Sequence, residues 1–434
     1  MCGCGRGGIV NVGDRIRVRT KEHAYEGILM PSEGTANEAY LALKLDNGYN
    51  IGFLRASVSV ELLEEGHMAN ATMPPCEIAP TLGLPDIAIL GTGGTVASKI
   101  DYLTGAVYPS FSPDELLRLV PELGEIANIS GRELYSIVSE DILQRDWENI
   151  AQAIVGRIAE GASGVVITHG TDTLHFTASM LSFMLRDLDR PVVCVGAQRS
   201  SDRPSSDAAF NLVSSVRFAA TDCAEVVVCM HAGIDDDVCH VHRGTRVRKF
   251  HTSRRDAFVS VNSLPLARVY GAGRVEQVSP YRTSSGKDVY ADTSCEERVS
   301  LVKTYPGAAD IVGALVDRGY RGIIIEGSGL GHAPDTLHAE IRRGLEEGVF
   351  FGMASQCVHG RVNMNVYRGG RVLKEAGVLP LGDMLAETAW CKLSWVLGHV
   401  QDREEVARAM LLPVAGEVED TSRLDVYGCR EACL

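Results

Sequence analysis

Hydrophobic and polar residues alternate over short stretches near the start of the chain, the period-two pattern of half-buried strands. Asn47-Gly48 between two of these stretches is typical of a type I′ hairpin turn. Several short antiparallel strands within so few residues favour a small β-barrel, which we assign to residues 1–65. The predicted strands are 15–19, 25–30, 40–45 and 50–54.

From residue 85 the pattern changes to continuous apolar runs that alternate with stretches of helical period. Such runs are typical of parallel sheets covered by helices on both faces. The fold class is therefore α/β, with two parallel-sheet domains at 85–270 and 298–434 after the barrel. Residues 66–84 are predicted to be a linker and 271–297 a polar inter-domain connection. Predicted strands are 86–90, 134–138, 164–168, 191–196, 225–230, 299–303 and 322–326, and predicted helices are 146–160, 174–185, 308–318, 335–346, 383–396 and 403–412.

Small residues follow the first apolar run of the larger domain, as Gly91-Thr92-Gly93-Gly94-Thr95. Ligands of open parallel sheets bind outside the carboxyl ends of the strands, and glycines there let backbone N–H groups approach a ligand closely. Thr95 places a hydroxyl on this loop. We predict that Thr95 is a nucleophile and that Gly94 contributes to substrate binding.

A second polar loop, His169-Gly170-Thr171-Asp172-Thr173, follows the β-branched run 164–168. Thr171 and Asp172 could simply cap the helix that follows, because a carboxylate is stabilised at a helix N-terminus. That explanation is weaker for two polar loops that both follow strands. The pair is therefore a candidate partner for Thr95.

The segment 243–252 is basic and includes Arg246, Arg248 and Lys249. Crowding by the two arginines, together with burial, would favour a neutral amine at Lys249 that can act as a base. From this segment alone, a solvated surface cation is the favoured interpretation of Lys249.

Charge and composition restrict the function further. The chain of 434 residues has a formal net charge of -14, so its surface as a whole does not favour phosphate binding. No apolar run approaches the roughly 20 residues of a membrane helix, and the N-terminus has no apolar signal-peptide segment, which predicts a cytoplasmic protein without membrane association. No P-loop motif is present, so no ATP chemistry is expected in this chain.

The twelve cysteines are scattered, and those in apolar runs, Cys194, Cys229 and Cys357, are predicted to be buried. Cys2 and Cys4 have no second pair at zinc spacing, so no metal site is predicted.

Arg15, Arg17, Arg19 and Lys21 share one face of the first predicted strand. This face could contact RNA, dock a partner protein or simply be solvated. The solvated face is favoured because aromatic side chains that would stack bases are missing.

The stretches Thr92-Gly93-Gly94-Thr95-Val96-Ala97 and Thr168-His169-Gly170-Thr171-Asp172-Thr173 resemble the two signature motifs of the bacterial-type L-asparaginase family. The resemblance covers about residues 85–415. It implies an amidohydrolase in which Thr95 is the nucleophile, Thr171 and Asp172 are the Thr-Asp pair, and Lys249 is the lysine upstream of Phe258-Val259-Ser260.

The same resemblance suggests the substrate-binding residues. Ser139 and Asp141 are similar to the Ser-x-Asp element that holds the amino-acid end of the substrate, with Glu140 where the family often has glutamine. Tyr102 resembles the flap tyrosine that orients the nucleophile, on a shorter flap than in many members.

With its N-terminal module, the whole chain resembles the D subunits of archaeal glutamyl-tRNA(Gln) amidotransferases. That resemblance implies glutamine as substrate, no cofactor in this chain, and an E subunit that uses ATP and Mg and binds most of Glu-tRNA(Gln), in an assembly of two D with two E. A stand-alone cytoplasmic L-asparaginase and an inactive RNA-binding scaffold are the alternatives.

Overall fold

The computed structural model describes residues 10–21, 23–30, 40–45, 50–65, 81–94, 98–100, 107–109, 116–117, 120–199, 206–423 and 426. Predictions that concern Thr95, Tyr102, Cys2 and Cys4, the Asn47-Gly48 turn and the linker up to residue 80 lie outside these residues and stay predictions.

The N-terminal module is a five-stranded antiparallel sheet with strand order β4-β3-β2-β1-β5. Its core lies on one face, where the alternation predicted it: Ile16 and Val18 of β1 are buried against Leu43 and Phe53. The outer strands β4 and β5 do not pair with each other within the described residues, so the ladder is an open sheet there. The strands are β1 (Arg15–Arg19), β2 (Ala24–Met30), β3 (Tyr40–Leu45), β4 (Asn50–Leu54) and β5 (Ser59–Glu64).

Acidic residues of the same sheet neutralise part of the basic face of β1. Arg17 forms ion pairs with Glu26 and Glu61, and Arg19 also reaches Glu61 at 3.2 Å. These pairs raise the pKa of Arg17 through hydrogen bonds to the two carboxylates. The arrangement favours the solvated interpretation of this face over an RNA contact.

The larger domain contains an eight-stranded sheet with the order β18-β17-β14-β13-β12-β10-β6-β9. Its strands from β13 to β9 are parallel, and β14, β17 and β18 add antiparallel strands at one edge. Helices pack on both faces over an apolar core, as the continuous runs predict. The strands are β6 (Asp86–Gly91), β7 (Ser98–Ile100), β8 (Val107–Pro109), β9 (Asn128–Glu133), β10 (Gly164–Thr168), β11 (Leu185–Arg186), β12 (Val192–Val195), β13 (Val226–His231), β14 (Val238–Arg243), β15 (Val247–Lys249), β16 (Phe258–Ser260), β17 (Ala267–Tyr270), β18 (Val275–Gln277) and β19 (Tyr290–Ala291). The helices are α1 (Leu123–Ile126), α2 (Gln144–Ala159), α3 (Leu174–Met184) and α4 (Ala208–Ala219).

Two segments differ from the prediction. The strand expected at 134–138 is wrong, because the chain pairs with β6 through β9 and leaves the ladder where β6 ends. The backbone N–H groups of Leu134 and Tyr135 both donate to the carbonyl of Gly91, the last residue of β6. The predicted connection 271–297 also begins with β18, which joins the large sheet, and β19 pairs with β11.

The smaller domain has four parallel strands in the order β20-β21-β22-β23. Its core lies on both faces of β21, between helices on either side. Sequence reasoning omitted β22, β23 and α7 from this domain. The elements are β20 (Val299–Lys303), α5 (Ile311–Asp317), β21 (Gly322–Gly327), α6 (His338–Glu346), β22 (Phe350–Ser355), α7 (Arg368–Ala376), β23 (Leu379–Pro380), α8 (Ala386–His399) and α9 (Arg403–Leu411).

Helix α8 joins the two α/β domains by packing against α3. The hydroxyls of Ser179 and Thr388 are hydrogen-bonded at 3.0 Å, and Trp390 meets the ring of Phe176 edge-on. The chain after α9 returns to the larger domain, where Ala415 accepts a hydrogen bond from the Thr245 hydroxyl. The two domains therefore share a polar and aromatic interface.

Three further predictions can be compared with the structure. Cys194 and Cys229 are buried as expected, but Cys357 is exposed because it lies in the loop after β22 rather than in the apolar strand itself. Among the described residues, no helix is both long enough and apolar enough to cross a membrane. No cluster of three or more His, Cys, Asp or Glu side chains suited to a metal ion occurs in the part of the chain that the structure describes.

Candidate active site

Lys249, Thr171 and Asp172 form one hydrogen-bonded cluster. The Lys249 Nζ donates to Thr171 Oγ1 and to Asp172 Oδ1, each at 2.8 Å. The lysine side chain is 9% exposed, whereas that of Asp172 is 70% exposed. The cluster therefore places a largely buried amine at the base of an open polar surface. Nucleophile activation needs a base that is oriented by a third group, and the cluster has this geometry.

The strands explain why the cluster forms at this place. Thr171 and Asp172 follow the carboxyl end of β10, and Lys249 ends β15. The N-cap position of α3 is Thr173, so neither member of the pair is the cap residue that the alternative interpretation requires. The two polar loops and the lysine, which are far apart in sequence, thus meet at one edge of the sheet.

Glycines allow the neighbouring loops to come close to this cluster. A Cβ on Gly94, whose φ is +81°, would lie 2.7 Å from the carbonyl of His169. A Cβ on Gly196 would lie 2.6 Å from the methyl group of Thr171. The loop before Thr95 therefore contacts the backbone of the second motif directly, and larger side chains at these two glycines would separate them.

Ser139 and Asp141 lie in a 3₁₀ turn beside the same loop, rather than at the end of a strand. A Cβ on Gly170 would contact Ser139, and the Thr173 hydroxyl donates to the Ser139 carbonyl at 2.5 Å. Ser139 is buried, and Asp141 is exposed. The structure therefore brings the Ser139 turn to the loop that carries Thr171 and Asp172.

A buried hydrogen-bond chain that sequence reasoning missed holds this loop from below. Trp147 Nε1 donates to Thr177 Oγ1 at 2.8 Å, the Thr177 hydroxyl meets His169 Nε2 at 2.8 Å, and His169 Nδ1 meets the carbonyl of Gly170 at 2.6 Å. Burial lowers the pKa of His169 to about 4, so the ring is neutral at pH 7. Because a carbonyl only accepts, Nδ1 carries the proton and Nε2 accepts from Thr177. Each donor and each acceptor in this series of three hydrogen bonds therefore has a partner, and the series fixes the loop before Thr171.

Replacing Thr177 by valine tests whether this series of hydrogen bonds holds the loop. The substitution keeps the shape but leaves the Trp147 N–H and His169 Nε2 buried without partners, at a cost of about 1 to 3 kcal/mol for each group. We expect a clearly lower thermal unfolding midpoint, measured by circular dichroism. Thr177→Ser is the matched control because it keeps the hydroxyl and should stay close to wild type. Equal midpoints for the valine and serine variants would show that the chain does not hold the loop.

The two arginines beside Lys249 do not crowd it as the sequence suggests. Arg246 pairs with Asp383 at 2.9 Å and Arg248 with Glu387 at 3.1 Å, both on the side of the smaller domain. Alternation within β15 places Arg248 on the opposite face of the strand from Lys249. The two arginines therefore face carboxylates of the smaller domain rather than Lys249.

Comparison with known proteins defines the class of this fold. Residues 86–281 match the family profile described as "Asparaginase, N-terminal", and residues 298–410 match "Glutaminase/Asparaginase C-terminal domain". The thermostable L-asparaginase from Thermococcus kodakarensis is similar in structure, with a TM-score of 0.70 and 34% identity, over 77% of this chain and 100% of that one. The two α/β domains are thus those of the asparaginase class.

The N-terminal sheet makes the relationship more specific. Residues 10–63 match the profile "GatD N-terminal domain". The chain is 51% identical to the glutamyl-tRNA(Gln) amidotransferase D subunit of Pyrococcus horikoshii, over 96% of this chain and 97% of that protein. It is 50% identical to the protein of the same name from Methanothermobacter thermautotrophicus, over 96% of each. The chain belongs to the family of glutamyl-tRNA(Gln) amidotransferase D subunits.

Proposed function

We propose that this chain is the glutaminase subunit of a tRNA-dependent amidotransferase, which releases ammonia from glutamine for the conversion of Glu-tRNA(Gln) to Gln-tRNA(Gln). The observation that carries the proposal is the identity of about half of all residues with D subunits over nearly the whole length, including the N-terminal sheet. The Lys249–Thr171–Asp172 cluster supports the amide hydrolysis that such a subunit requires.

In the proposed reaction the Thr95 hydroxyl attacks the side-chain carboxamide of glutamine. Lys249, held by Asp172 and Thr171, takes the hydroxyl proton and returns a proton to the leaving ammonia, in the logic of a nucleophile, a base and an orienting group. Backbone N–H groups of the glycine-rich turns stabilise the oxyanion. Water then cleaves the acyl-threonine ester, which releases glutamate and restores the Thr95 hydroxyl.

Substrate-binding roles follow the same proposal. Ser139 and Asp141 hold the α-amino and α-carboxylate end of glutamine, together with Tyr102 and Gly94. The position of the Ser139 turn against Gly170 supports this assignment, because a substrate held there would lie beside the loop that carries Thr171.

The second half-reaction belongs to a partner in this proposal. An E subunit would activate Glu-tRNA(Gln) with ATP and Mg and receive the ammonia, in an assembly of two D with two E in the cytoplasm. The acidic net charge and the absence of a P-loop in the sequence support this division of the two reactions. In addition, the arginines of the basic stretch 243–255 each form an ion pair with a carboxylate; these are Arg243, Arg246, Arg248, Arg254 and Arg255.

Reconstitution with the E subunit from the same organism tests the proposal. Glutamate release from glutamine and Gln-tRNA(Gln) formation are measured with the chain alone, the partner alone and both, with and without ATP and Glu-tRNA(Gln). We expect amidated tRNA only from the complete mixture. Rapid asparagine hydrolysis by the chain alone, without any contribution to tRNA amidation, would instead establish the stand-alone asparaginase.

A further inference from the structure

Strand β15 carries Lys249 but is only three residues long. Within the described residues it pairs only with β16, in a two-stranded ladder outside the eight-stranded sheet. So short a hairpin does not fix the position of a side chain at its end by backbone hydrogen bonds alone. Other contacts must hold Lys249 in place.

Arg246 provides the first such contact. Its side chain is completely buried and donates from Nη1 to Asp383 Oδ2 at 2.9 Å and from Nε to the carbonyl of Gly416 at 2.9 Å. Asp383 also accepts from the backbone N–H of Glu419 at 3.0 Å. A buried charge with this many partners has one low-energy geometry, because moving it leaves ions unpaired inside the protein.

Arg248 provides the second contact, from the same side of the chain. Its Nη2 lies 3.1 Å from Glu387 Oε1, with the arginine side chain 28% exposed and the carboxylate mostly buried. Asp383 lies three residues before α8 and Glu387 in its first turn, and the Thr388 hydroxyl of α8 also donates to the carbonyl of Thr245. Arg246 and Arg248, which precede Lys249, are thus attached to the chain at and just before the start of one helix of the smaller domain.

We propose that Arg246 and Arg248, through Asp383 and Glu387, are positioning residues that hold Lys249 against Thr171 and Asp172. The smaller domain then takes part in catalysis through these ion pairs. The inference rests on the proposed function, since it assigns Lys249 to proton transfer. Displacing a reacting group by about 1 Å costs on the order of 100-fold in rate, so these anchors should matter for turnover.

Arg248 is the better position to change, because its partial exposure makes loss of folding less of a concern. In the complex with the E subunit, we expect Arg248→Met and Glu387→Gln to lower kcat for glutamine hydrolysis by about 10- to 100-fold, with KM little changed. We also expect the limb of the kcat–pH profile that reports proton transfer to move. A purely structural defect would lower the amount of active enzyme without moving that limb.

Two further variants make the test specific. Arg254→Met is the matched control, because it removes an arginine–carboxylate pair from the same segment, to Asp256 at 2.7 Å, without touching the smaller domain. It should keep wild-type kcat and pH profile. The charge-reversed pair Arg248→Glu with Glu387→Arg should recover part of the rate lost in each single variant.

The outcomes separate this inference from the proposed function. If wild type hydrolyses glutamine, Lys249→Ala does not, and Arg248→Met behaves like Arg254→Met, the positioning role is overturned and the function stands. A uniform loss of kcat with an unchanged pH profile and no recovery in the charge-reversed pair overturns it as well. If wild type shows no glutaminase activity with its partner, the proposed function fails, and the positioning role fails with it.

Discussion

Thr95→Val abolishes glutamine hydrolysis while the protein stays folded and still pairs with its partner: this is the largest effect we expect from a single substitution. Valine keeps the size and β-branching of threonine and removes only the hydroxyl that would attack the amide. Loss of a nucleophile that acts together with a base lowers turnover by at least about 10³-fold. Glutamate release by the complex, with a thermal unfolding scan of the same sample, measures both parts of the expectation.

The described residues next to Thr95 support the assignment. Gly94 contacts the His169–Gly170 backbone, so the glycine loop approaches the loop that carries Thr171. Thr92→Val is the matched control, because the buried Thr92 hydroxyl donates to the Thr168 carbonyl at 2.9 Å and its loss costs about 1 kcal/mol of stability. Thr95→Ser should retain measurable turnover. Normal hydrolysis by the Thr95→Val variant would show that Thr95 is not the nucleophile.

The sequence predicts local elements well where one local pattern determines them. The strands at 15–19, 40–45, 50–54, 164–168 and 299–303 are confirmed to the residue, since clear alternation or a β-branched run marks each of them. The strand β9 was missed for the opposite reason. Its sequence Asn128-Ile-Ser-Gly-Arg-Glu133 is polar, and among the described strands it is an edge strand that pairs only with β6. The apolar residues just after it suggested a strand at 134–138, where the described part of the chain forms none.

Contacts between distant segments could not be predicted in the same way. Asp383 follows a glycine shortly before an apolar helical pattern, and the sequence placed it inside a helix at 383–396. The helix begins at Ala386 instead, and Asp383 accepts from Arg246, 137 positions earlier in the chain. The sequence instead suggested that Arg246 and Arg248 crowd Lys249, whereas they pair with Asp383 and Glu387. Nothing local indicated which carboxylates they would meet.

The candidate site also combines features that a local pattern predicts with contacts between distant segments that it does not predict. The two loops at strand ends suggested that Thr171 and Asp172 lie near Thr95, because the carboxyl ends of parallel strands share one edge of a sheet. Lys249 was singled out only by resemblance to a family, since its own segment favours a surface cation. Its contact with Thr171 and Asp172 depends on the hairpin β15–β16 and on the interface with the smaller domain, and neither has a local sequence signal.

The second large effect that we expect is from Lys249→Ala, which should lower glutamine turnover by about 10²- to 10⁴-fold. This is the usual contribution of a positioned acid or base. The substitution removes the amine that now donates to Thr171 and Asp172, so the proton of the attacking hydroxyl has no acceptor held in place. Turnover by the complex is measured across the pH range in which the protein stays folded. Lys287→Ala is the matched control, because this exposed lysine pairs with Asp187 at 3.3 Å away from the site.

Lys249→Arg separates proton transfer from simple charge stabilisation. Arginine keeps the positive charge and can still donate to Asp172, but it does not lose its proton in proteins. If Lys249 relays protons, the arginine variant should be about as slow as the alanine variant. If the lysine only stabilises negative charge or orients Asp172, arginine should restore much of the rate. A Lys249→Ala enzyme with the wild-type pH–rate profile would make the lysine structural, and the base would then have to be sought elsewhere.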